Sequence, residues 1–456
     1  MNISKTFLLT LFIIVLSLPY IFRPSRDYES FDEKIVVISV HPEDIKYEFS
    51  KGFSRYMKKC CGKNVGIEWI DLGGTSSSLR FIRSEFSELL KKGRKNTSYD
   101  IFFGGGDQAH EHLAGNTCAK SGHLSSSCME HYIPDEQILK NIPESLNGIK
   151  LWKKGQWYGS ALSGFGIICN KKVLNRMNLP APNTWRDLAH PSLLSWIGSG
   201  DPRQSGSTHM LFEIILQSMN WSDGWRVLTE MAGNTRYFSR HGAMVSSDTA
   251  LGEIACGITI DYYALSVIKT APDYLTFILP RDATVINPDP VSMLKDAPHK
   301  FLAGKFIDYV LSEGQYLRIR PVGHPKGPVK KSTPVMPIAR SIYYENGPKT
   351  INTNPYEFNT SFRYNSKKGT VRWHLLNDLL GAAFLDNHQL LVKVWEKRLS
   401  GNISDDQWKK ICTPVISEEE LDSLSRKLHE KGKAFRTEIR LKWFKYYYNL
   451  YKSAAG

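Results

Sequence analysis

The chain has 456 residues, 41% of them hydrophobic and 23% charged, a globular composition long enough for two domains or one large domain with additions. Its 59 Lys and Arg against 45 Asp and Glu give a formal net charge of +14, which suits anionic ligands or anionic lipid and says nothing about fold. No nucleic-acid recognition motif accompanies the charge, and seven cysteines are too few for a disulfide scaffold, so both classes are set aside.

Lys5 and the free amine precede an almost wholly apolar run over residues 7–22, which reads as an export signal. Residues 1–30 are therefore expected to be a signal peptide or signal anchor. No small-x-small cleavage site follows, Arg23 and Arg26 come directly after, and the run is at the lower limit for a bilayer span. No Cys follows to carry a lipid, and no later segment is long and apolar enough to cross a membrane.

Strands and helices alternate from Lys34 to about Leu317. Residues 35–40 read as a strand, and 41–59 as a helix entered through Pro42-Glu43-Asp44 with acids in its first turn. The strand-like 67–72 turns at Gly73-Gly74-Thr75-Ser76-Ser77-Ser78 into a helix with Leu79, Ile82, Phe86, Leu89 and Leu90 on one face. The buried strand 100–103 ends in Gly104-Gly105-Gly106-Asp107. In an oxidising compartment Cys118 and Cys128 are the natural pair, closing the polar loop NTCAKSGHLSSSC. Adjacent Cys60 and Cys61 cannot easily bridge, and Cys169 and Cys256 read as small buried hydrophobes. His110, His112 and His123 fit no standard zinc spacing.

Residues 167–170, 195–199, 255–260 and 275–279 continue the alternation, which argues for α/β sheets with helices on both faces. In DPRQSGSTHMLFEIILQ (201–217) a small-residue turn, Ser205-Gly206-Ser207-Thr208, opens a helix whose apolar face is Met210, Leu211, Ile214, Ile215 and Met219. Unpaired N–H groups, hydroxyls and the helix dipole converge there, an arrangement suited to an anion, with Arg203 as a further donor; an ordinary N-cap is the alternative. None of the Gly-rich turns reads GKS, GKT or GxGxxG, so nucleotide chemistry is not indicated. A short strand ends at Asp261-Tyr262-Tyr263, placing a carboxylate and two phenols at a strand's carboxyl end. They are either rim aromatics or ligands for a ferric ion or a phosphate oxygen. The stretch 321–337, rich in Pro, Gly and Lys, reads as a loop closing the α/β part.

Residues 371–399 show helical apolar spacing, and Ser417 before Glu418-Glu419-Glu420 caps a further helix running to about Ser453. Its last turns mix Lys and Arg with Trp443, Phe444 and Tyr446 to Tyr448, either a membrane-resting face or a solvated charged face over a buried aromatic stripe.

The ordered run GGTSSSLRFIRSEF (73–86), YDIFFGGGDQ (99–108), WYGSALSGFGIICNKKVL (157–174), LPAPNTWRDLAHP (179–191), DPRQSGSTHMLFEIILQ, GEIACGITIDYYA (252–264) and HKFLAGKFIDYVLSEGQ (299–315) resembles the extracellular solute-binding proteins of ATP-binding-cassette importers, in their ferric-iron-type group. The resemblance covers residues 34 to about 340. It implies a two-lobed type 2 periplasmic-binding-protein fold with a helical C-terminal extension. Lobe one is expected over 31–160 and 277–340, lobe two over 161–276 and the extension over 341–456, with crossovers near 157–165 and 277–289. The ligand lies between the lobes: Thr75, Ser76 and Gly104, Gly105, Gly106 on one side; Arg203, Ser205, Gly206, Ser207, Thr208, Asp261, Tyr262 and Tyr263 on the other.

Iron-binding members use a His, a Glu and a Tyr pair. His41 and Tyr262-Tyr263 match, but the Glu position is occupied by glycines, whose backbone amides approach an oxyanion closely. The resemblance therefore implies a small anionic solute, phosphorylated or carboxylated, with ferric iron or an iron chelate as the alternative and no resident cofactor. It implies permease subunits as partners, a monomer, and a periplasmic or cell-surface site. A secreted enzyme would need a general base, for which Asp107, His209 and Asp261 are the candidates; no nucleophile–base pair stands out in the motifs.

Overall fold

Alternating apolar residues at the front of the chain form β1 (Glu33–Ser39), with Ile35, Val37 and Ile38 fully buried. In the computed structural model the described residues are Phe12 and 31–456 except 96, 117, 123, 281, 282, 352 and 359–361, and the side chains of 429 and 430 are also outside the description. The export segment expected over residues 1–30 and His123 thus lie outside the described residues, Phe12 apart. Among those described, no helix is long and apolar enough to cross a membrane.

Helix α1 (Glu43–Cys61) begins after Pro42, which cannot donate but costs a helix start nothing, and ends at Gly62 in the left-handed region. It packs Phe49 and Phe53 on a core that includes β2 (Val65–Ile70), which pairs parallel with β1. Helix α2 (Thr75–Lys92), strand β3 (Ile101–Phe103) and helix α3 (Asp107–Ala114) complete the first strand–helix series. A disulfide joins Cys118 and Cys128 across 5.9 Å between Cα atoms.

Strand β4 (Trp157–Asn170) is buried at every position and runs through both halves of the molecule. After it come β5 (Ile197–Gly200), α4 (Gly206–Ser218), α5 (Trp221–Asn234), β6 (Thr235–Ser239), α6 (Gly242–Leu251), β7 (Cys256–Ile260), α7 (Asp261–Ile268), β8 (Leu275–Ile278), β9 (Ile286–Met293) and α8 (Lys300–Leu311). The sheet order is β6-β5-β7-β4-β9-β3-β1-β2. Residues 158–164 of β4 pair with β9, and residues 165–169 pair with β7, so one strand belongs to both lobes. Strand β9 pairs with β4 on one side and β3 on the other, although it contains Pro288 and Pro290. Proline removes ladder donors, and here the register shifts between Asp289 and Pro290, a bulge that fits the prolines into a central strand.

The C-terminal extension is α9 (Ser366–Leu380), a π turn (Gly381–Leu385), α10 (His388–Leu399), α11 (Asp405–Ile411) and α12 (Glu418–Ala455). The single helical pattern expected over 371–399 is therefore two helices. α12 starts in a capping box between Ser417 and Glu420 and kinks at Gly432, where φ is +73°. Its Trp443, Tyr447 and Tyr451 are buried against the lobe containing β5, while Tyr446 and Tyr448 are exposed, so the aromatic stripe is core.

Candidate ligand-binding cleft

Between the lobes lies a cleft of about 390 Å³, and six helices begin at its wall. His41 and Pro42 precede α1, Gly73 to Thr75 open α2, Gly105 to Gln108 open α3, Gln204 to Ser207 open α4, Arg240 to Ala243 open α6, and Ile260, Tyr262 and Tyr263 open α7. A helix start leaves N–H groups unpaired and carries a partial positive charge. At five of the six no side chain caps the helix; only α4 has one, Ser205 Oγ accepting from Thr208 N at 3.3 Å. The glycines serve close approach. Gly104 sits at φ +89°, and a Cβ there would come within 2.7 Å of His41 Cε1.

Two of the three acids in the wall, Asp71 and Asp289, have basic partners. Asp71 accepts from Lys46 Nζ at 2.8 Å. Asp289, aimed from the β9 bulge, meets His41 Nε2 at 2.7 Å and accepts from Gly106 N at 3.3 Å. Burial opposes the Asp289 charge, but His41, the Arg318 charge and the Gly106 amide together hold its carboxyl below the ordinary range. Burial pushes Asp107 up to about 6, partly offset by Asn287 Nδ2 donating to it at 2.7 Å. Burial likewise raises the pKa values of Tyr262 and Tyr263, whose rings stand 4.2 Å apart. Two buried acceptors in the wall, Gln108 Oε1 and Asn287 Oδ1, have no partner among the described residues. The cleft thus offers N–H donors and small hydroxyls to a solute.

Of the residues singled out in the sequence, Thr75, Gly105, Gly106, Ser205, Gly206, Ser207, Tyr262, Tyr263 and His41 line the cleft. Ser76, Gly104, Thr208 and Asp261 do not; Asp261 is buried behind the wall, accepting from Gly164 N at 2.8 Å, and burial raises its pKa to about 7. Arg203 is not a cleft donor: its Nη2 binds Asp201 Oδ2 at 2.9 Å and its Nη1 binds Asp386 Oδ1 at 2.7 Å, anchoring the extension. His41 as a metal ligand would have to give up the bond at one ring nitrogen, Nε2 to Asp289 at 2.7 Å or Nδ1 to Ser39 Oγ at 3.0 Å. Among the described residues no group of three His, Cys, Asp or Glu side chains is placed to hold a metal. His209 lies outside the wall, its pKa lowered by burial to about 4.

The sequence reading missed Arg240, His241, Asn287, Asp289 and Trp373. Arg240 and His241 follow a strand and precede Gly242, the same strand–turn–helix device as the other turns, so that signal was present. Trp373 comes from α9, and no local pattern announces it.

Residues 117–317 match the family model of the bacterial extracellular solute-binding proteins. The phosphoglycerate transport regulatory protein PgtC of Salmonella typhimurium is 32% identical over 152 residues, 33% of this chain and 38% of that protein. The chain thus spans less than half the length of the curated relative it matches. The periplasmic binding protein AfuA from Actinobacillus pleuropneumoniae, solved with fructose-6-phosphate, superposes with TM-score 0.57 at 17% identity, covering 81% of this chain and 99% of that one. The apo ferric ion-binding protein A of Pasteurella haemolytica superposes with TM-score 0.52 at 15% identity, covering 82% and 99%. Residues 117–317 are thus similar to the bacterial extracellular solute-binding proteins, and the lobes, crossing strands and cleft already described share the fold of the periplasmic binding proteins, with a helical C-terminal extension added.

Proposed function

We propose that the chain is the extracytoplasmic solute-binding component of an ATP-binding-cassette importer, and that its cleft captures a small organic anion, preferably a phosphate ester of a hydroxylated carbon skeleton. The observation that carries this reading is the convergence of six helix N-termini, five without a side-chain cap, on one cleft where Asp71 and Asp289 already have basic partners. A phosphate would take N–H groups and the hydroxyls of Thr75 and Ser207, with Arg240 at the rim as counter-charge. The phosphoglycerate-related name of the relative and the sugar phosphate in the AfuA structure agree in ligand class.

Binding without turnover is the consistent role. Of the three candidate bases, His209 and Asp261 lie outside the wall, and Asp107 stands in it with Asn287 Nδ2 donating to one of its oxygens. The protein would act as a monomer outside the cytoplasm, closing its lobes on the solute and presenting that state to permease subunits. Ferric iron as cargo is less well served, since both ring nitrogens of His41 already have partners and, among the described residues, no group of three His, Cys, Asp or Glu side chains is placed to hold a metal.

Thermal unfolding against phosphate, phosphoglycerate, sugar phosphates, citrate, ferric citrate and ferric iron with carbonate tests the reading. A ligand at a hundred times its Kd adds about 2.7 kcal/mol. The expected result is a shift with an organic phosphate that survives Tyr262→Phe and is lost in Thr75→Ala with Ser207→Ala. A shift with ferric iron alone, with a phenolate charge-transfer band lost in Tyr262→Phe, would make the protein an iron carrier.

A further inference from the structure

We propose that Trp373, supplied by the C-terminal extension, is a specificity-determining residue of the cleft, forming the apolar wall against which the carbon skeleton of the solute lies; this rests on the anion-binding reading above. Trp373 lines the cleft although it sits on α9, far along the chain from both lobes. Its ring lies 3.8 Å from that of His209 on α4, and close to His112 on α3. The helix that presents it is fixed from several directions. Arg372 and Glu213 form a fully buried ion pair at 2.6 Å, and Asn377 Oδ1 meets His209 Nδ1 at 2.8 Å. Tyr364, just before α9, accepts from Gln108 Nε2 at 3.0 Å, and Gln108 itself is part of the wall. Trp373 is 3% exposed, so it shows the cleft a small edge of a ring that its neighbours hold in place. A rigid indole there sets the length and apolar character of the solute that fits, while the helix N-termini hold the anionic end.

Calorimetric titration of the full chain, wild type, Trp373→Phe and Trp373→Ala, with inorganic phosphate, 3-phosphoglycerate, a six-carbon sugar phosphate, citrate and ferric citrate separates the possibilities. The expected result is that Trp373→Ala weakens organic phosphates roughly tenfold or more and shifts the ranking between three- and six-carbon esters, while phosphate alone changes less than about threefold. Trp373→Phe should restore most of the loss. Equal changes for every ligand, phosphate included, would make Trp373 merely structural and overturn the inference, as would unchanged affinities in Trp373→Ala. If wild type binds only citrate or ferric citrate and Trp373→Ala alters that affinity, the wall survives and the phosphate reading falls. Binding of nothing in the panel overturns both.

A separate observation concerns lobe two. Cys169 on β4 and Cys256 on β7 are directly opposed, fully buried, and 3.1 Å apart at Sγ. Cys256 N donates instead to Trp196 O, and Asn170 N donates to Ala255 O, so the cysteines form a non-hydrogen-bonded antiparallel pair, where side chains approach closest. We propose that they are oxidised to a cross-strand disulfide in the exported protein. The two thiols would give up two protons and two electrons before burial, by exchange with an oxidised protein disulfide catalyst whose own disulfide leaves as a dithiol. Protein purified without reductant, acid-quenched, denatured, alkylated and digested is expected to yield a linked peptide pair from 169 and 256 beside that from 118 and 128. Alkylated Cys169 and Cys256 with the 118–128 link intact would overturn it.

Discussion

Asp261 shows how a single buried group couples stability to pH. Its Oδ2 accepts from Gly164 N, its Oδ1 has no partner among the described residues, and burial raises it to about 7. An unfolded Asp titrates near 4, so the folded state favours the neutral acid. The group therefore costs nothing below about pH 4, and its penalty grows as pH rises to about 7, reaching on the order of 3–4 kcal/mol. Asp261→Asn keeps an acceptor for Gly164. It should raise stability at pH 8 by on the order of 2–4 kcal/mol and change little at pH 4, read by urea denaturation at both values. An equal effect at the two pH values would show that the fold does not raise the pKa of Asp261. The sequence placed Asp261 at a strand's carboxyl end but could not tell wall from backing, because which side of the cleft surface a side chain occupies is set by how β7 seats against β4.

At the scale of elements, strand–turn–helix units were legible because Gly and Ser or Thr clusters follow apolar strands at 73–78, 104–107 and 205–208. Strand β9 was not, since Pro288 and Pro290 argue against a central strand and only the bulge at Asp289 admits them. The role of α9 was illegible for another reason. Its apolar spacing is evident, but its charged face carries Arg372, whose partners Glu213 and Glu418 lie on α4 and at the start of α12. Both members of the Arg372–Glu213 pair are fully buried, so removing one leaves an unpaired charge. Arg372→Met should cost about 3–5 kcal/mol in chemical denaturation, and Arg372→Met with Glu213→Gln should recover most of it. A loss of less than about 1 kcal/mol in the single variant would mean the extension is not anchored through this pair.

The whole molecule places its lobes close together across the cleft. A Cβ on Gly206 would lie 3.2 Å from Thr75 Oγ1, and one on Gly74 would lie 3.1 Å from Gln204 O, so small residues let the two halves meet. Gly206→Ala leaves the helix start intact and crowds this seam; it should weaken solute binding by roughly three- to tenfold, about 1 kcal/mol, in an equilibrium titration. Unchanged affinity would show that closure does not bring these residues together. The most direct test of the central claim is paired calorimetric titration of the wild-type chain with a six-carbon sugar phosphate and with the same sugar lacking its phosphate. Helix N-termini converging on an anion predict stoichiometric binding of the phosphorylated sugar and none of its neutral counterpart; equal binding of both, or of neither while ferric iron binds, would contradict it.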